Sequence, residues 1–257
     1  MTSRAAWRTE LASLEPAEWP DFLGRHSGLP GPRGNLELAM AFADIATRPV
    51  IDRFAGSTDE YLAVCGTVAL GARATTPEVV EVLRGCADDD RWRVREAVAI
   101  GLQLLGDVDL DRVLAVVEAW ADDPSPLVRR AAAATICEPR LLTTPRAAAT
   151  ALEVCRRATI GLTRLDPAGR RDPAVRTLRQ ALGYCWSVAI AADPSAGLRA
   201  FRALDTADAD VAWIVRENLR KHRLAALLPS EPPVSGDLRP ARPGGHGEML
   251  EGERRTP

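Results

Sequence analysis

The dipeptide Val-Arg returns four times, each copy opening an apolar run with helical spacing: Val94-Arg95, Val128-Arg129, Val175-Arg176 and Val215-Arg216. From arginine to arginine the intervals are 34, 47 and 40 residues. A period of that size is the length of one helical hairpin. A hairpin cannot bury its apolar face alone, so such repeats stack. The recurrence predicts an all-α fold, an α-α superhelix built as a solenoid of antiparallel helical hairpins. With Val94 at the centre of a helical face, Ala97, Val98, Gly101, Leu102 and Leu105 fall beside it at i+3, i+4, i+7, i+8 and i+11. No window alternates β-branched and polar residues for long enough to predict a strand.

The pass along the chain supplies helix boundaries. Ser3 is placed to cap a first helix running to about Leu14, and Pro16 to open a second. The segment from Ser27 to Asn35, SGLPGPRGN, carries three glycines and two prolines and breaks any regular element. Asn35 is an N-cap candidate for the run that follows, Asp59 or Glu60 begins YLAVCGTVALGARA, and Thr76-Pro77 starts the next helix with proline in its first turn. Asp89, Asp123 and Asp210 each stand five residues before a Val-Arg valine, where an aspartate caps or braces the second helix of a hairpin. YLAVCGTVALG aligns with VREAVAIGLQLLG as a degenerate first copy. The expected organisation is a repeat array over residues 1–228 with atypical N-terminal helices, then a Pro-, Gly- and charge-rich tail over 229–257 expected to be disordered.

Charge limits the partners. The chain has 33 basic and 35 acidic residues, a net charge of -2, so bulk attraction to nucleic acid or an acidic membrane is not indicated, although a local basic stripe is left open. Lys221 is the one lysine, and the other basic residues are arginines. The five cysteines are scattered and odd in number, which predicts reduced, partly buried thiols rather than disulfides or a zinc site. His26, His222 and His246 have no metal-ligand spacing, so no metal or cofactor is expected. No apolar run approaches the roughly 20 residues of a membrane span, and the expected location is cytoplasmic, away from membranes.

Two clusters carry the functional expectation. On the helical wheel Trp92 and Glu96 lie about 160–200° from Val94, opposite the core stripe, and Trp213 and Glu217 hold the same relation to Val215. These four residues, with Arg220, form the candidate interaction surface. An exposed indole calls for a cover, either an adjacent repeat or the tail, or else a partner. Arg95, Arg129, Arg176 and Arg216 fall on the flank of the core stripe. They read as a structural ladder pairing with acids or helix-end carbonyls of the next repeat, with a phosphate-gripping stripe as the alternative. SGLPGPRGN reads as a rigid connector, or as a loop presenting amides and Arg33 to an anion.

The hairpin pattern resembles HEAT repeats, including the HEAT-like group of DNA alkylation repeat glycosylases. The glycosylase resemblance implies a catalytic tryptophan followed four residues later by an acid. Trp92 and Glu96 match that spacing with glutamate in place of aspartate, and the same spacing recurs at Trp213 and Glu217. SGLPGPRGNLEL, WRVREAV, GYCWSVA and WIVRENLRKHRL together are similar to a group of bacterial HEAT-repeat proteins with no attached activity, over most of residues 20–224. The leading expectation is a non-enzymatic scaffold for a protein or peptide partner. The alternative is a DNA-binding or DNA-repair protein of the alkylation-repeat kind. A third reading, a HEAT-like lyase or a chaperone for a cofactor-bearing protein, rests on fold analogy alone. If Arg91, Arg93, Arg130, Arg220 and Lys221 converge unpaired on an open groove, nucleic acid gains; if acids match them, the scaffold gains.

Overall fold

A computed structural model of the chain describes residues 2–228; the 229–257 segment, expected to be a disordered tail, lies outside the described residues. Among the described residues there are α-helices and two single-turn 3-10 helices, and no strand. The helices are α1 (Arg4–Ala12), α2 (Trp19–His26), α3 (Leu36–Ile45), α4 (Arg48–Ala55), α5 (Glu60–Gly71), α6 (Pro77–Ala87) and α7 (Trp92–Gly106). They continue with α8 (Leu110–Trp120), α9 (Pro126–Ile136), α10 (Pro145–Thr163), α11 (Pro173–Ala192), α12 (Pro194–Arg202), α13 (Ala209–Leu219) and α14 (His222–Ala225).

Caps set these boundaries. The Ser125, Thr144, Asp172 and Asp193 side chains accept N–H bonds from the first turns of α9, α10, α11 and α12, and each of these caps is followed by a proline. Proline costs nothing there, because a first-turn N–H has no partner within the helix. Ser3 and Asn35 cap α1 and α3 as their sequence context predicts. Pro16 does not open α2, which begins at Trp19 with Pro20 in its first turn. Asp89 and Asp123 brace the turns before α7 and α9, accepting from the N–H groups of Arg91 and Ser125. Asp210 instead lies inside α13, whose cap is Asp208.

The hairpins stack in two layers. Helices α3, α5, α7, α9, α11 and α13 pack one on the next, and α4, α6, α8, α10 and α12 cover them from the other side. All four Val-Arg copies sit on the first of these layers, where Val94, Ala97, Val98 and Leu102 are fully buried, as are Val128, Ala132 and Ile136 of α9. Helices α5 and α7 approach each other closely. A Cβ on Gly101 would stand 2.6 Å from the Val68 carbonyl oxygen, so glycine is what lets these backbones meet. The five cysteines are free, and the hydrogen bond with the neighbouring Cys155 thiol, together with burial, pushes the Cys137 thiol up. Among the described residues no helix is long and apolar enough to cross a membrane.

The arginine ladder exists, but through other arginines than the Val-Arg set. Arg95 donates to the carbonyls of Asp89 and Asp90 at 2.5 and 2.9 Å, within its own hairpin. A helical side chain points back toward its own N-terminus, so this position reaches the preceding turn rather than the next repeat. Arg176 and Arg216 are exposed, with no side-chain hydrogen bond among the described residues, and Arg129 is buried without one. The seams are instead crossed by Arg93–Glu60 at 3.0 Å, Arg130–Glu96, Arg140–Asp107 at 2.9 Å, Arg146–Asp111 at 2.6 Å and Arg179–Asp210 at 2.6 Å. Their sequence separations of 31 to 35 residues are one repeat.

Candidate functional site

Trp92 opens α7 on the face opposite the buried stripe, and its side chain is 47% exposed. It lines a cleft of about 850 Å³ between the N-terminal helices and the first hairpins. Glu96, one turn further along, lines the same cleft, with Ile100 a turn beyond it and Leu36 and Val64 contributed by α3 and α5. Leu36 is 45% exposed, so two large apolar groups stand open in one concavity. That combination marks a binding surface more strongly than scattered exposed residues do.

The far wall is the SGLPGPRGN loop, through Gly28, Pro32, Arg33, Gly34 and Asn35. It is a braced connector. Gly28 adopts φ 74°, a left-handed conformation that glycine takes without strain, and its carbonyl accepts from Gly31 at 3.0 Å. Asn35 N–H donates to Ser27 O at 2.8 Å, the Asn35 amide donates to His26 O at 3.1 Å, and Tyr61 Oη donates to Asn35 O at 2.6 Å. Burial pushes the Tyr61 phenol up, which keeps it protonated and donating.

Arg93 ties loop to array. Its guanidinium bonds Glu60 at 3.0 Å and the Gly31 carbonyl at 2.9 Å, and it lies 4.5 Å from the Trp92 ring centroid. The indole is therefore held by a cation on one face while another part of it stays open. Glu96 is fixed from the next repeat: Arg130 on α9 donates to one carboxylate oxygen and to the Arg95 carbonyl. From the sequence Arg130 enters only as one of five cations that could line a basic groove; its separation from Glu96 is one repeat period, the signal that could have found their pairing.

The second tryptophan–glutamate pair is elsewhere and is differently covered. Trp213 is half-buried against Gly183 of α11, where a Cβ would stand 2.8 Å from the indole, and Arg179 lies 4.8 Å from its ring centroid. Glu217 pairs with Arg220 at 2.8 Å on the same helix. Thus Trp92 and Glu96 share a cleft, whereas Trp213, Glu217 and Arg220 form a packed seam with an exposed ion pair.

Residues 47–137 match the family model of HEAT repeats. The matched stretch begins at Thr47, the cap of α4, and ends at Cys137 just past α9, so it covers three complete hairpins. That stretch is built of HEAT repeats, and the same two-layer packing continues beyond it through α13. Neither the curated proteins nor the solved structures give a match to it.

Proposed function

We propose that this protein is a non-enzymatic scaffold that binds a peptide segment of a protein partner in the Trp92 cleft. The observation that carries the reading is the 47%-exposed indole set in a braced concavity beside Leu36. Rigid aromatic anchors in pre-formed clefts supply binding energy at small ordering cost. The occupant is a peptide with an aromatic or aliphatic side chain for Trp92. An acidic neighbour would meet Arg33, an exposed cation on the cleft wall.

The second reading, a DNA-binding or DNA-repair protein of the alkylation-repeat kind, draws on Trp92 and Glu96 facing one cleft. The ion pairs weigh against it. Arg91 bonds Asp89, Arg93 bonds Glu60, Arg130 bonds Glu96 and Arg220 bonds Glu217. Lys221 lies over the Tyr184 ring, 5.9 Å from its centroid. A duplex needs uncommitted cations to displace its counterions, and four of the five candidates are committed.

The test is selection from a random peptide library on the immobilised full chain, with titration of the winners against wild type and Trp92→Ala. Expected are peptides with a shared aromatic or aliphatic anchor whose affinity falls at least about tenfold in the variant. Winners that bind both proteins equally would move the interaction elsewhere on the array.

A further inference from the structure

Arg129 is an anomaly that the peptide cleft does not use. It is 7% exposed, yet it forms no ion pair and no side-chain hydrogen bond among the described residues, and its Nε is buried without a partner. A guanidinium stays charged in a protein and offers five N–H donors in a planar fork. Its burial without an acceptor therefore leaves strong donors aimed at nothing in the chain. The placement is built in: a Cβ on residue 161 would overlap Arg129 Nη1, so Gly161 of α10 opens the space that the guanidinium fills.

That guanidinium lines a second cavity, of about 440 Å³, between the α8–α9 turn and α10. Three acids line it, and each is already matched. Asp123 takes Arg84 at 2.6 and 3.0 Å, Asp122 takes Arg157, and Glu153 takes Arg156 at 2.6 and 2.7 Å. Left over on the wall are Arg129 and the exposed Arg164, which has no ion pair among the described residues. The surplus is positive, in a pocket walled largely by charged groups.

The geometry points to an oxyanion site here, formed by Arg129 and Arg164 and taking a phosphate monoester. Two forks favour phosphate over carboxylate. A carboxylate has two oxygens and satisfies one fork bidentately, whereas a phosphate monoester presents three terminal oxygens to both. The monoester could be carried by a small metabolite or by a phosphorylated side chain of a partner, and both bring the same terminal group. The site is separate from the Trp92 cleft and shares no lining residue with it.

The test titrates the full chain with inorganic phosphate, phenyl phosphate and a phosphoserine peptide at constant ionic strength, with chloride as reference, following the melting temperature. Wild type should show a saturable rise with the phosphates and none with chloride, because a ligand that binds only the folded state stabilises it. Arg129→Met should lose the rise, and the exposed Arg164→Ala, which leaves the core intact, should weaken it at least about tenfold. A stronger response to the phosphopeptide than to phenyl phosphate would assign the carrier to a protein; the reverse would assign it to a small molecule. A wild-type response matched by chloride, or one retained in both variants, would overturn the site.

Discussion

Replacing Arg129 by methionine should stabilise the protein when no oxyanion is present. The ladder expected from the sequence requires the opposite, since cutting a paired arginine strands its partner at a cost of on the order of 1–3 kcal/mol. In the structure there is no partner to strand. The side chain is 7% exposed and its Nε is buried and unbonded, so the desolvation cost of the charge is met only by longer-range attraction to Asp123 and Asp122. Those acids keep Arg84 and Arg157 after the substitution. Burial already lowers the Arg129 pKa, the direction expected where the charged form is disfavoured. Methionine is unbranched and flexible, and it can lie over Gly161 in the space that the arginine stem occupies. Replacing buried charge by apolar volume is often neutral or stabilising by about 1–4 kcal/mol. Set against the lost attraction, a net gain of about 1–2 kcal/mol is expected. In an array of this size that is a rise of about 2–8 °C in melting temperature. Circular dichroism melts in chloride buffer free of phosphate and sulfate measure it. A fall of about 1 kcal/mol or more would show that Arg129 holds a structural partner, and would refute the reasoning.

Three further outcomes follow from the same geometry. Gly101→Ala should destabilise by about 1–3 kcal/mol in urea unfolding, since its Cβ would meet the Val68 carbonyl and Gly71 Cα, whereas Gly85→Ala, with open space around it, should be neutral or stabilising by up to about 1 kcal/mol. Arg91 holds Asp89, and Arg157 holds Asp122, below the ordinary carboxylate range. A depressed folded pKa contributes stability above the unfolded value and loses it as pH falls through the folded one, so melting temperature should decline on acidification below about pH 4; a flat profile down to about pH 2 would refute this. The chain should release no methylated purine from alkylated duplex DNA at low salt; release by wild type that vanishes in Glu96→Gln and persists in Glu217→Gln would make the first pair an active site.

The architecture was legible because periodicity and caps are local signals. The Val94 stripe and the Ser3, Asn35 and Asp59 caps are written in a few neighbouring residues each, and the structure uses them as such. Helix α4 left a weaker trace, because its eight residues bury only Ile51 and Phe54. The seam chemistry was harder to read. Whether an arginine beside a core valine reaches its own turn or the next repeat depends on helix rotation and side-chain direction, and the dipeptide does not encode these. Arg95 and Arg129 occupy the same sequence position in their repeats, yet one bonds two carbonyls and the other bonds nothing.

The same rotation separates the two tryptophans that look alike in sequence. In α7 the fully buried residue two places after Trp92 is Val94, so the indole stands opposite the core. In α13 the buried positions are Val211, Ile214 and Asn218, while Val215 is only half-buried. The core stripe has slipped by one residue, about 100° of helix, and carries Trp213 round onto Gly183 of α11. Asn218 fixes that slipped register: buried, it accepts from Ser187 N–H and donates to the Leu182 and Ile214 carbonyls, each at 2.8 Å. The bonds with Ser187 and Leu182 reach across to α11 and hold α13 in one rotation, because leaving any of the buried groups unpaired is costly. A tryptophan–glutamate spacing shared by two repeats therefore yields one open cleft and one closed seam, and binding is to be sought at Trp92 alone of the two.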